Sequence, residues 1–171
     1  MKRLVILGAG GYGRTVADTA AQLDLFDEIC FLDDGSTDSD VLGPCGDYRR
    51  YADGQTVFYP AFGNNEARLR WLDTLEGEGI GIATLIHPRA YVSPRAVVEA
   101  GTVILPGALI GTGCRICRGC IINMGAIVDH GCVIEAGSHI CLGAIVKAEN
   151  RIPAGMKVEA GEVIGNRAFP L

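Results

Sequence analysis

From Ile86 onward the chain places a β-branched aliphatic residue at every sixth position: Ile86, Val92, Val98, Ile104, Ile110, Ile116, Ile122, Val128, Ile134, Ile140, Val146, Ile152, Val158 and Ile164. All fourteen are Ile or Val, although these two types make up only about one in six residues of the chain, so the spacing is a true repeat. Four residues after each aliphatic stands a mostly small one: Ala90, Ala96, Thr102, Ala108, Cys114, Cys120, Ala126, Cys132, Ser138 and Ala144. The series breaks at Asn150, Met156 and Glu162. One β-branched and one small inward side chain per hexad suit a short flat strand followed by a corner. Three hexads, eighteen residues, close a triangular coil. Coils stacked at the ~4.8 Å strand spacing would align Ile104, Ile122 and Ile140 in one internal ladder.

The first half follows another pattern. Arg3 to Leu7 is a continuous apolar run, as in a parallel strand buried on both faces. Gly8-Ala9-Gly10-Gly11-Tyr12-Gly13 follows at once and fits G-x-G-x-x-G, with Val16, Ala17, Ala20 and Leu23 then recurring at helical spacing. Glu28 to Leu32 supplies a second strand that ends on Asp33 and Asp34. Glycines in such a loop let backbone approach a phosphate at a helix N-terminus, while the carboxylates can accept from a ribose or base. Residues 34–55 have no clear period and read as irregular. Thr56 to Phe62 is expected as a third strand, Glu66 to Leu75 as a helix capped by Asn64 with Ala67, Trp71 and Leu75 on one face, and Ile82 to Ile86 as a fourth strand. Two domains are thus expected, residues 1–84 and 85–171. About eighty residues make half of a full dinucleotide-binding fold, which argues against an NAD-dependent dehydrogenase and favours a nucleotide-sugar.

Charge and cysteine usage narrow the partners. With 15 Lys+Arg against 20 Asp+Glu the net charge is −5, and no basic stripe suggests nucleic acid. The apolar run after Met1-Lys2-Arg3 is too short for a signal peptide, and no stretch approaches the ~20 residues of a membrane span, so a cytoplasmic, non-membrane protein is expected. Seven cysteines include Cys114-x2-Cys117-x2-Cys120. Cys114, Cys120 and Cys132 occupy the small inward slot, a packing position, while Cys117 and Cys141 follow the inward aliphatic and are expected near a face. No metal is expected. His87, His130 and His139 stand at different offsets from the inward residues, so they share no ladder and do not make a three-histidine site like that of a γ-carbonic anhydrase.

Together, Gly8 to Gly13, Phe31-Leu32-Asp33-Asp34, Gly63-Asn64-Asn65-Glu66, Leu85-Ile86-His87-Pro88 and the hexad repeat resemble the family of sialic acid O-acetyltransferases and bacillosamine-pathway UDP-amino-sugar N-acetyltransferases. The resemblance covers nearly the whole chain. It implies an α/β Rossmann-like half domain followed by a left-handed parallel β-helix of hexapeptide-repeat type. The handedness comes from the resemblance, because the general crossover rule predicts the opposite. It also implies a homotrimer, acetyl-CoA as acyl donor, and a UDP-linked amino sugar or a sialic acid as acceptor. By motif, Gly10, Gly11 and Tyr12 would line the nucleotide-sugar phosphates, with Asp33 and Asp34 on the uridine side and Gly63 on the neighbouring wall. His130 would be the general base. Asn123, His139, Gly143 and Ala160 would meet the acyl donor, with backbone N–H groups around Gly143 facing the developing oxyanion. Relatives carry an acidic residue directly after the base, where this chain has Gly131, so Asp129 is expected to take that part. Relatives also continue for further coils beyond the place of residues 166–171, which leaves a second function open: a non-catalytic trimeric nucleotide-sugar-binding protein that has lost CoA binding.

Overall fold

In the computed structural model, which describes residues 2–171, the first apolar run is β1 (Arg3–Leu7), the centre of a three-stranded parallel sheet. It is flanked by β2 (Glu28–Leu32) and β3 (Thr56–Pro60). Leu4 to Leu7 are fully buried, which explains the unbroken apolar run. Helix α1 (Gly11–Ala21) follows the glycine loop and buries Gly13, Val16, Thr19 and Ala20. Helix α2 (Asn65–Gly77) starts at Asn64, whose side chain accepts from the Ala67 N–H at 2.8 Å.

Three expectations change here. The inward face of α2 is Arg68, Leu72 and Leu75 rather than Ala67, Trp71 and Leu75. Arg68 can be fully buried because its guanidinium donates to the Phe62 carbonyl and to Asn65 Oδ1, each at 2.8 Å. Trp71 lies beside it, half-buried, edge-on to Tyr48. No fourth strand of Ile82–Ile86 forms: Ile82 makes a single bridge to Phe58, and Leu85–Ile86 pairs with Val103–Ile104 in a different sheet. Within the irregular stretch, Cys45–Tyr51 forms a 3₁₀ helix and Val41 bridges Phe31. Arg14 holds the intervening loop, paired with Asp38 at 2.7 Å and with Asp40, its guanidinium over the Phe31 ring.

The chain divides into two compact units, one ending at Ala83 and one spanning Thr84–Leu171. The second is a left-handed parallel β-helix of fourteen two-residue strands, arranged in three sheets of five, five and four. Ile122 pairs with Ile104 on one side and Ile140 on the other, one turn of the expected ladder. Every inward Ile or Val from Ile104 to Val158 is at most 1% exposed, each stabilising the coil by ~1.5–3 kcal/mol. The small slots Ala108, Cys114, Cys120, Ala126, Cys132, Ser138 and Ala144 are buried equally well. Cys117 and Cys141 are buried too, at 8% and 5%, with Cys117 lining an outer groove beside Glu99, Arg115 and Glu135. All seven cysteines are free.

A left-handed corner recurs with the same period. From Gly101 to Gly161 ten glycines carry φ between 62° and 73°, and the two non-glycine residues in this register are Glu149 (φ 58°) and Arg167 (φ 53°). Asn150, where the small-residue series breaks, is fully buried and is where the C-terminal segment attaches. Its Nδ2 donates to the Lys147 and Gly165 carbonyls, each at 2.8 Å, and its Oδ1 accepts from the Phe169 N–H. Phe169 then packs on the coil interior, covering an end that would otherwise be open.

Candidate active site

In the second unit, Val128 points inward and the chain then turns a corner through Asp129 and His130, both about half exposed. Asp129 Oδ1 lies 2.9 Å from His130 Nδ1 and accepts from the His130 backbone N–H at 2.7 Å. Neighbours on an extended strand point apart, but these residues sit on the corner, where the turn lets the carboxylate reach back over the ring. The contact raises the imidazole above its ordinary pKa of 6.5, chiefly through the Asp129 hydrogen bond and charge, and lowers Asp129 through the N–H and ring that face its oxygen. With Nδ1 donating to the carboxylate, Nε2 carries the free lone pair.

Below this corner lies Gly111, which the hexad register does not mark. A Cβ there would stand 2.8 Å from the His130 nitrogen and 2.9 Å from the Asp129 carbonyl carbon, so glycine is needed for the two coils to approach. Above it, His130 shares a groove of about 290 Å³ with Ala148, Glu149, Asn166 and Arg167. Glu149 Oε2 accepts from Arg167 Nε at 2.6 Å. Neither residue was singled out from the sequence, although the glycine register, broken among its later members at these two positions, marks both.

The expected donor residues lie on another side of the coil. Asn123 and His139 belong to successive turns of one sheet, and Asn123 Nδ2 meets His139 Nε2 at 3.1 Å. Gly143 does not offer a spare N–H: it already donates to the Met124 carbonyl at 3.0 Å, as Gly161 does to Leu142 at 2.9 Å. Ala160 is exposed one turn beyond Leu142. His87 is 2% exposed, its Nδ1 accepts from the Arg89 N–H at 3.0 Å, and burial lowers its pKa, as suits a packed neutral ring.

In the first unit, two kinds of glycine separate. A Cβ on Gly13 would lie 2.0 Å from the Gly8 carbonyl oxygen, so Gly13 is required by the chain's own packing. Gly10, Gly11 and Gly63 have nothing within 4 Å of a built Cβ, so the open space beside them is not claimed by the protein. Asp33 is committed inward: Oδ2 accepts from the Ala9 N–H at 2.7 Å and Oδ1 from Gly35 and Ser36 at 2.8 Å, which holds its pKa below the usual carboxylate value. These bonds let Asp33 shape the loop. Asp34 lends Oδ1 to the Cys45 N–H and stays exposed. The Tyr12 hydroxyl pairs with Tyr59 at 2.8 Å, and burial raises its pKa well above 10. Among the described residues, no group of three or more His, Cys, Asp or Glu is placed to hold a metal, and no helix is long and apolar enough to cross a membrane.

Comparison with known proteins adds to this geometry. Residues 3–75 match the PglD N-terminal domain family. The acetyltransferase domain of PglB from Neisseria gonorrhoeae is 32% identical, with a TM-score of 0.94 over 98% of this chain and 84% of that one. The same domain in complex with acetyl coenzyme A gives 34% identity and a TM-score of 0.93, over 97% and 83% of the two chains. PerB from Caulobacter crescentus, in complex with CoA and GDP-perosamine, is 24% identical with a TM-score of 0.85, over 99% and 91%.

Proposed function

Because the chain belongs to the bacillosamine-pathway type of sugar acetyltransferases and is an acyltransferase, we propose that it moves an acetyl group from acetyl-CoA to the amino group of a nucleotide-linked amino sugar. The observation that carries the chemistry is the Asp129–His130 pair. Asp129 holds Nδ1–H, and His130 Nε2 takes a proton from the acceptor nitrogen as that nitrogen attacks the thioester carbonyl. The tetrahedral intermediate then expels the CoA sulfur, which is protonated as it leaves. Acetyl-CoA and the amino sugar are the small-molecule partners, and a UDP-linked sugar is the acceptor favoured by the sequence resemblance. Open space at Gly10, Gly11 and Gly63 suits a diphosphate close to the backbone, and Asp34 keeps a carboxylate for the nucleoside.

The donor residues Asn123 and His139 belong with one sheet, and the strand that leads into His130 belongs to the next, formed by Tyr91, Leu109, Ile127, Ile145 and Val163, which separates them from His130. Tyr91, Leu109 and Val163 are exposed, as are Met124 and Leu142 on the adjoining corner. An apolar stripe of this kind suits burial against another copy. In a homotrimer, His130 of one copy would meet the donor side of the next.

The test is a thiol-release assay with acetyl-CoA and UDP- or GDP-linked amino sugars, with the product weighed by mass spectrometry. An acetylated amino sugar formed with stoichiometric CoA is expected. Binding of the sugar without CoA release would instead leave only a binding protein.

A further inference from the structure

Glu149 occupies a backbone conformation that the rest of its register gives to glycine. Its column runs Gly113, Gly131, Glu149 and Arg167, each one coil above the last. A residue with a side chain is disfavoured at φ 58°, so its retention asks for a use. The column supplies one: Gly131 is the residue directly after His130, and its built Cβ would stand 3.7 Å from Glu149 Cγ. The Glu149 N–H also donates to the His130 carbonyl at 3.1 Å, so the two corners are fastened together. Arg167, one coil further, pairs with the Glu149 carboxylate over the same groove.

We propose that Glu149, presented from the next coil and tempered by Arg167, is a positioning residue for the reaction: it supplies His130 with a second acidic neighbour, beside Asp129. This rests on His130 acting as the base. The charged and titratable groups around His130 are Asp129 on its own corner, Lys147 and Glu149 one coil above, Arg167 beyond them, the buried Cys132 thiol and, from the coil below, the buried Cys114 thiol, which donates to the Asp129 carbonyl at 2.8 Å beside Gly111 and Thr112. Asp129 fixes the ring through Nδ1, and Glu149 adds a second negative charge on the groove side, where the acceptor would lie. The carboxylate favours the imidazolium that forms once the proton is taken. Arg167 opposes it, so the pair sets the basicity of His130 from two sides.

The chain has three histidines, so the His130 ring can be followed by NMR in the intact protein and assigned by its loss in His130→Ala. Removing the charge in Glu149→Gln should move the His130 titration to lower pH and reduce the high-pH kcat/KM roughly threefold to tenfold. Removing the opposing cation in Arg167→Gln should move the titration to higher pH. Glu149→Gly suits the left-handed corner and keeps the test open should Glu149→Gln fold poorly; it should behave as Glu149→Gln does. Titration curves that coincide with wild type in the Glu149 and Arg167 variants overturn the proposal whatever the turnover. Full turnover in His130→Ala overturns the base reading instead, while opposite shifts in the two variants would still establish the coupling of Glu149 to the ring.

Discussion

The inside of the β-helix and its Gly113–Arg167 corner are built by the same six-residue period and obey it differently. Inside, position after position is Ile or Val, fully buried from Ile104 to Val158, with each coil repeating the last. At the corner, the register runs Gly113, Gly131, Glu149, Arg167, and the two departures lie over the Asp129–His130 pair. A solenoid is stable because its repeats are alike, so chemistry has to be placed where one repeat differs from its neighbours. On the reading we propose, the interior carries stability and the corner carries the reaction.

Paired substitutions can break that division. His130→Ala should lower kcat/KM by on the order of 10²–10⁴-fold without changing the melting temperature. Ile122→Ala, in the ladder, should cost about 2–5 kcal/mol of stability while the folded fraction keeps its turnover. Stability assays and rates on the same two samples decide it. Asn150→Ala should fall between, losing about 1–3 kcal/mol because Lys147, Gly165 and Phe169 lose a buried partner at the end of the coil; chemical denaturation would show it.

A smaller effect concerns pH. With His130 as the proposed base, turnover needs neutral imidazole, and Asp129 raises the His130 pKa, so wild-type kcat/KM should climb with pH through a midpoint above 6.5. Asp129→Asn should shift that midpoint to lower pH and lower the plateau, roughly tenfold, read from the pH–rate profile. The least disruptive change is Gly10→Ala, whose φ of −70° admits alanine. It should alter stability by no more than ~0.5 kcal/mol yet raise KM for the nucleotide-sugar, since the added methyl enters space left for the ligand.

The same contrast explains what the sequence allowed one to read. The fourteen strands were visible because one inward position per hexad is constrained to a β-branched shape. Ile82 was misassigned because its apolar run extends into Leu85–Ile86, and only tertiary pairing separates the single bridge from the first strand of the next sheet. Arg68 was hidden because a buried guanidinium looks polar until its acceptors, Phe62 and Asn65, are in place. The part Asp33 plays in its own loop was hidden because the three backbone N–H groups that reach it, two of them within three residues, converge only in the fold. Glu149 and Arg167 did carry a signal, as gaps in the glycine register, but that register shows its meaning only once each position's φ is known.

The most direct measurement is the rate of acetyl-CoA thiol release with a nucleotide-linked amino sugar, taken for wild type and His130→Ala at matched melting temperature. Turnover in the wild type and its near-complete loss in the variant is the result expected of a base held on this corner. A His130→Ala protein that folds as well and releases CoA at the wild-type rate would contradict it.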